Sequence, residues 1–422
     1  MSIVHFTTEL SGGAGAYAKN IHRAMLRLNE KSVLLTRDRS APRDKGIITI
    51  KPESKLELFT KNICFLFLKK TKLVNEKYAV FGIEKTPVRV IDIEIVLKEI
   101  QSKIFIFYWV SRFIDTNILY NLKERNPDAK FLFVCLDDAF LTGGCHYTFG
   151  CCKYTKICEK CPSTKLHHRQ NLIKQEQEKR RIVYKHINPT VIYPSTQLSN
   201  MGNQSVLLKK LPSLVMTLGA FSENELKFFK SKSLNDNEIV LLIRSSGEYR
   251  KGCDLFFEAI KSIYLENSKV LSNFKLLSIG DNTLTELGIC NYIDHFHYGI
   301  VDRKKLISIY SNSDALVITS REDAGPIMIN EFVALNKFVI STPVGVSKDL
   351  IKDNKNGIIT NDFSIIELKK SLIDFIFNHK VYISRLNLKD NIETNQITFD
   401  SFAKNLINKS LSQSAKSSNI IT

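Results

Sequence analysis

Short runs of β-branched and aromatic residues alternate with amphipathic stretches along the first half of the chain. Residues 2–6, 32–36, 46–50, 103–108, 130–136 and 190–193 read as strands. They are mostly continuous apolar runs rather than alternating ones, as expected of a parallel sheet with helices on both faces. Between the first two, Tyr17, Ile21, Met25 and Leu28 recur at helical spacing and mark one face of a helix. The same pattern restarts near Asn237, with strands expected at 238–244, 274–279, 315–318 and 337–341. Helices are expected at 253–263 and 303–311, the second with Asp302 as N-cap. Two βαβ arrays in succession predict an α/β protein of two Rossmann-like, doubly wound parallel sheets with an inter-domain cleft.

A length of 422 residues agrees with two cores rather than one. The expected division is 1–215, 216–398, and a closing segment 399–422. The seam falls near Pro212 and Gly219, and a last helix near 400–411 packs back on the first domain. The Ser- and Asn-rich end reads as a frayed tail.

Composition narrows the class. Hydrophobic residues make up 44% and charged residues 24%, as in a globular protein. No apolar run reaches the roughly 18 residues a membrane span needs, and Met1 to Leu10 lack the form of a signal peptide, so the expected location is cytoplasmic. A net charge of +17 points to an anionic partner. The basic residues form no RNA-binding signature with stacking aromatics, so nucleic acid is not the expected partner.

Two loops could cradle phosphate. The first strand runs into Ser11-Gly12-Gly13-Ala14-Gly15 and then a helix, where glycine permits close backbone approach and the helix start offers N–H donors. A tight strand-to-helix turn explains the same residues. In the second domain, Arg244, Arg250 and Lys251 flank a loop ending in Gly252. Arginine forks onto phosphate oxygens and lysine adds a point charge, although a solvated loop has the same composition. Further on, Asp323 precedes a Gly325-Pro326-Ile327 turn, and Glu331 follows inside the next helix. A carboxylate in a helix packed on a sheet is costly unless it binds something, such as ribose hydroxyls, so Glu331 is expected to stand uncompensated in the empty protein.

Asp323-x7-Glu331, with the Arg250–Gly252 and Gly12-Gly13 segments in register, resembles the donor signature of family 4 retaining glycosyltransferases. The resemblance covers nearly the whole chain and implies a GT-B fold. It implies that Glu331 binds the nucleotide ribose and that Arg244 and Lys251 hold the diphosphate. Asp323 and the backbone at Gly325–Ile327 would face the sugar and phosphate. Asp323 stands where the family more usually has glutamate.

The stretch Asp137-Asp138-Ala139-Phe140-Leu141-Thr142-Gly143-Gly144-Cys145-His146, continuing to Cys151, Cys158 and Cys161, resembles an exopolysaccharide and O-antigen branch of that family. Four such cysteines suit a structural zinc site or remain free thiols; Cys152 lies outside the pattern. The branch has histidine where this chain has Leu136, and often His-Trp where it has Tyr108-Trp109. Asp137 is retained, either to assist chemistry or to cap its loop.

A last feature is the run Lys61 to Lys72, with Phe65, Leu66, Phe67 and Leu68 flanked by lysines. It suits an element lying on anionic lipid, or a core helix with charged ends. The expectation is a metal-independent, retaining glycosyltransferase at the inner face of the cytoplasmic membrane. It would carry sugar from a nucleotide-sugar donor to a lipid-linked saccharide of a bacterial surface polysaccharide, with Asp137, Asp323 and Glu331 as candidate catalytic carboxylates. Two rivals are a nucleotide-sugar epimerase on the same fold and an inactive binding subunit, which Leu136 favours.

Overall fold

A computed structural model describes residues 2–40, 44–50, 75–78, 88, 90–98, 100, 102–227, 229, 238–386 and 397–417. The lysine-flanked run 61–72 lies outside the described residues. The chain divides into two compact units, residues 1–216 with 402–422, and residues 217–401.

In the first unit, β1 (Ser2–Thr7), β2 (Lys31–Thr36), β3 (Ile47–Thr49), β4 (Ser102–Phe107), β5 (Lys130–Val134), β6 (Thr190–Tyr193) and β7 (Ser213–Val215) form one sheet. Its order is β3-β2-β1-β4-β5-β6-β7, with every pairing parallel. The central strands are mostly apolar because both faces are covered: Ile3, Val4 and Phe6 in β1 are fully buried, as are Phe105 and Phe107 in β4. Phe6 stacks on Phe107 at 4.7 Å between ring centres, and Phe107 on Phe131 at 5.7 Å. The helix Thr116–Arg125 begins where the Asp115 side chain accepts the Ile118 N–H at 2.9 Å.

The second unit holds a six-stranded sheet of β8 (Ile239–Ser245), β9 (Phe274–Gly280), β10 (Asp294–His297), β11 (Ala315–Ile318), β12 (Phe338–Ser341) and β13 (Gly357–Ile359). Its order, β10-β9-β8-β11-β12-β13, is again all parallel. Successive side chains of β8 feed opposite cores, as the strand period of two requires. Leu241 packs with Phe256, Phe338 and Phe375, while Leu242 packs with Leu316, Ile329 and Phe332. Burying each such phenylalanine contributes roughly 1.5–3 kcal/mol.

Both sheets are of the Rossmann type, reversing direction at β1/β4 and at β8/β11, the positions where open α/β sheets bind ligands beyond their strand C-termini. Three strands escaped the sequence reading: β7, β10 and β13. All are edge strands of three or four residues, and β10 is built of Asp294, His295, Phe296 and His297 with Phe296 half-exposed, so no apolar run announces it. Asp302 does cap the helix Arg303–Ser311, accepting the Lys305 N–H at 2.8 Å. The last helix is longer than expected, Phe399–Ser417, and from Phe402 it belongs to the first unit, where Phe402 meets Tyr17 edge-on at 5.6 Å.

Candidate active site

In the second unit the loops after β8 and β11 interlock at the reversal point. Gly252 adopts φ +66°, and a Cβ there would stand 2.0 Å from the Thr319 carbonyl oxygen, so only glycine allows the loops to touch. Thr319 Oγ1 donates to the Lys251 carbonyl at 2.8 Å, and the Arg321 N–H to the Arg250 carbonyl at 2.7 Å. Arg321 adds a fork onto Asp254 at 2.7 and 2.6 Å and lies 4.1 Å over the Tyr249 ring.

This frame brings Asp323 to Lys251 and Arg250, two of the three cations of the candidate phosphate loop, while Arg244 does not bond to it. Lys251 Nζ donates to Asp323 Oδ2 at 2.5 Å and Arg250 Nη1 to the same oxygen at 3.2 Å. The other oxygen accepts the Gly325 N–H at 3.2 Å, so the carboxylate also shapes the turn before Ile327. Arg250 is shared with Glu248, to which its Nε donates at 2.6 Å. Burial alone would raise the Asp323 carboxyl, but Lys251 and Arg250 hold it below its ordinary value. Burial lowers the Lys251 ammonium, and Asp323 opposes that only in part. Arg244, exposed at the end of β8, is near enough to act electrostatically on Lys251 and on Tyr310.

Pro326 is the N-cap of the helix Ile327–Ala334, which carries Glu331. Gly345 in the loop after β12 approaches so closely that a Cβ would stand 2.9 Å from both the Asp323 carbonyl oxygen and Pro326 Cδ. Glu331 is buried, but it is not uncompensated. Arg303 Nη1 donates to its Oε1 and Tyr310 OH to its Oε2 at 2.6 Å. That corrects the expectation of an unpaired carboxylate: the folded chain itself supplies a cation and a hydroxyl. Arg303 and Tyr310 are the residues sequence reasoning missed here, and the only signal for Arg303 was its place just after the cap Asp302.

In the first unit, the loop after β1 is tied to the loop after β4. The Thr8 N–H donates to the Trp109 carbonyl and Thr8 Oγ1 to the Ser111 carbonyl, both at 2.8 Å. Gly12, with φ +71°, and Gly13 face open space within 4 Å of a built Cβ. The close approach belongs to Gly15, where a Cβ would stand 2.1 Å from the Glu9 carbonyl oxygen. Asp137 caps its loop, accepting the Ala139 N–H at 2.9 Å, and also pairs with buried His146, whose Nδ1 lies 2.5 Å from Oδ2. His146 Nε2 is 2.9 Å from Ser111 Oγ, and the Trp109 indole nitrogen is 3.2 Å from Nδ1. This ring links the loops after β4 and β5.

Cys145, Cys151, Cys158 and Cys161 line one cavity with Tyr78, and none is in a disulfide. Gly143 permits the fold, since a Cβ there would stand 3.1 Å from Cys158 Cβ and 2.9 Å from the Ile173 carbonyl. Burial pushes the Cys158 thiol up to about 11 and the Cys145 thiol well up. Cys152 is exposed. The thiols converge without forming a finished cage: among the described residues no group of three or more His, Cys, Asp or Glu is arranged to hold a metal ion.

Residues 224–394, which fall within the second unit, match the family model "Glycosyl transferases group 1". An uncharacterized glycosyltransferase of Methanocaldococcus jannaschii is 27% identical over 135 residues, 31% of this chain and 36% of the relative, so the match spans about a third of that protein. Among solved structures, sucrose-phosphate synthase from Thermosynechococcus elongatus aligns over 98% of this chain and 99% of its own, with a TM-score of 0.66 and 14% identity. WaaG, a glycosyltransferase involved in lipopolysaccharide biosynthesis, aligns over 96% and 99%, with 0.58 and 11%. Anabaena HepE in complex with UDP-glucose aligns over 99% and 100%, with 0.57 and 13%. These likenesses are of fold: the two parallel-sheet α/β units match those of GT-B glycosyltransferase structures.

Proposed function

We propose that this chain is a glycosyltransferase whose second unit binds a nucleotide-sugar donor at the β8/β11 reversal. The observation that carries the reading is the set of cations around Asp323: Lys251 and Arg250 bond to it, and Arg244 lies within electrostatic reach of Lys251. In this reading the donor diphosphate is held by Arg244, Arg250 and Lys251, with the backbone at Gly325, Pro326 and Ile327 closing on the phosphate and sugar. Glu331 takes the ribose hydroxyls and Asp323 the transferred sugar. Three side-chain cations can neutralise a diphosphate as it leaves, so no catalytic metal is required. HepE, a structural relative, has been captured with UDP and with UDP-glucose, which supports a nucleotide-sugar donor.

Finer points belong to the same proposal. Transfer proceeds with retention, the leaving phosphate acting as base on the face from which the acceptor attacks. Asp137 is a candidate catalytic group, and Gly12 and Gly13 in the loop after β1 are candidates for donor binding. The acceptor is a lipid-linked saccharide of a bacterial surface polysaccharide, a reading supported by the likeness to WaaG and by the +17 charge, which favours an anionic membrane surface. No described helix is long and apolar enough to cross a membrane. Zinc bound by Cys145, Cys151, Cys158 and Cys161 would be structural; their shared cavity supports this, and closing the cage would require the thiols to draw together.

The test is a thermal-shift screen of nucleotide sugars followed by donor hydrolysis on purified protein, since only a bound donor raises the melting temperature. Stabilisation by one donor together with its slow hydrolysis supports the reading. Binding with no turnover, alone or with acceptors, would point to an inactive subunit, and no binding by any nucleotide sugar would remove the proposal.

A further inference from the structure

Arg303 is the hub of a charge network in the second unit that the donor-site reading leaves unused. Its Nη1 donates to Glu331 Oε1, its Nε to Glu225 Oε1 at 2.8 Å, and its Nη2 to the Ala220 carbonyl at 2.6 Å. The guanidinium lies 4.6 Å over the Phe221 ring. Glu225 is itself anchored, accepting the Ser222 N–H at 2.7 Å and Ser222 Oγ at 3.0 Å. One planar cation therefore joins the segment 220–225 to the helix carrying Glu331. A lysine could place a charge there but could not fork across two carboxylates and a carbonyl.

The consequence for Glu331 follows from its lone pairs. An ionised carboxylate offers about four acceptor sites and no donor. Arg303 and Tyr310 occupy one on each oxygen, which leaves one on each for incoming hydroxyls. Only 4% of Glu331 is exposed, so without a counter-charge its anion would be strongly disfavoured. A protonated carboxyl presents a donor and loses the paired acceptor face that a vicinal diol needs.

We infer that Arg303 is a positioning residue that holds Glu331 as an oriented, all-acceptor carboxylate for a ribose diol, while Glu225 fixes the guanidinium from the other side. The inference rests on the nucleotide-sugar reading of this site. Besides Arg303, the groups facing Glu331 are Tyr310 directly, with Glu225 and Arg244 in the layer beyond.

The experiment uses the full chain, calorimetric titration with UDP, GDP and ADP, and the 2′-deoxy form of whichever binds most tightly. Arg303→Gln keeps hydrogen-bonding capacity and removes the charge. It should weaken that nucleotide about tenfold or more at pH 7, the scale of a lost charge-assisted hydrogen bond. In this variant the preference for ribose over deoxyribose should shrink. Arg303→Lys should keep most of the affinity and of the ribose preference. Glu225→Gln removes the second carboxylate but leaves Arg303 its bonds to Glu331 and the Ala220 carbonyl, so affinity should fall less than in Arg303→Gln while amide exchange in 217–225 quickens. Should R303Q fail to fold, the last two variants decide: equal loss of affinity in both would overturn the assignment. Wild-type affinity and ribose preference in R303Q would also overturn it, leaving the donor site intact. If the wild type binds no nucleoside diphosphate, the donor reading fails and this inference with it.

Discussion

Lys251 and Asp323 form a buried ion pair, Nζ to Oδ2 at 2.5 Å, with each side chain only 12% exposed. In the proposed reading, the lysine assigned to phosphate is therefore already neutralised by the acid assigned to the sugar. A diphosphate carries more charge than one carboxylate and would recruit the ammonium. Lys251→Ala should weaken nucleoside diphosphate about ten- to a hundred-fold and leave a nucleoside without phosphates unaffected. Asp323→Asn frees the lysine, so nucleoside diphosphate should bind at least as well while sugar transfer falls. Titration of both ligands against both variants checks this, and equal loss of nucleoside and nucleotide in Lys251→Ala would remove the phosphate role.

The cysteine cavity makes a separate prediction. Protein purified without chelator should contain close to one zinc per chain. Cys158→Ser or Cys161→Ser should lower both metal content and melting temperature, because coordination contributes to folding. Metal-free wild type whose melting is unchanged by added zinc would show that the four thiols are simply a packed cluster.

Acid should destabilise the first unit through two buried histidines. His5 is fully buried, 3.0 Å from Tyr108 OH through Nδ1, and its Nε2 has no partner among the described residues. Burial holds the pKa of His5 well below the ordinary imidazole value of 6.5, with His22 adding to the effect; burial also lowers His22, against Lys45 and Asp44. The unfolded chain thus binds protons that the folded one refuses. Stability is fully present above about pH 6.5 and falls below it, by up to about 1.4 kcal/mol per pH unit for each histidine. Melting temperature measured from pH 7.5 downward should show this fall, and His5→Gln should reduce the slope. A variant with the wild-type slope would assign the acid sensitivity elsewhere.

How much of this was legible depends on where the information lies. Residues 2–6 and 315–318 announced themselves because a strand buried on both faces is mostly apolar. The polar strand Asp294–His297 did not, since an edge strand is held by main-chain pairing with β9 rather than by side-chain burial. The Asp323 and Glu331 pair was legible because one turn and one helix set its spacing. Their partners were not: Lys251 lies 72 residues from Asp323 and Arg303 lies 28 from Glu331, distances bridged only by the parallel sheet. His146 stood in plain view at the end of the Thr142–His146 motif, yet its pairing with Asp137 depends on a loop turning back on itself.

The lysine-flanked run 61–72 yields a prediction from sequence alone. Surface attraction to anionic lipid is screened over about 8 Å at physiological ionic strength, so the chain should co-sediment with anionic vesicles and release as salt rises. Changing Lys69, Lys70 and Lys72 to glutamate should abolish sedimentation and leave soluble-donor binding intact. Equal sedimentation of wild type and variant would take this run out of the membrane account.

Glu331→Gln tests the donor site most directly. The amide keeps the shape of the side chain but replaces one acceptor oxygen by a donor nitrogen, so it cannot accept from two ribose hydroxyls while also receiving Arg303 and Tyr310. Hydrogen bonds to a charged group are worth roughly 1.5–3 kcal/mol, which places the expected loss of nucleoside-diphosphate affinity at about ten- to a hundred-fold. The network also reverses the stability expectation of an unpaired acid. Wild-type Glu331 is paired, so the amide leaves Arg303 with Glu225 alone and the melting temperature should fall rather than hold. Tyr310 can still donate to the amide oxygen, which limits that fall. Affinity and melting are therefore measured on the same samples, with Tyr310→Phe alongside to separate loss of the hydroxyl from loss of the charge. If Glu331→Gln binds nucleoside diphosphate as tightly as the wild type, Glu331 serves only to brace Arg303, and the ribose must be held elsewhere.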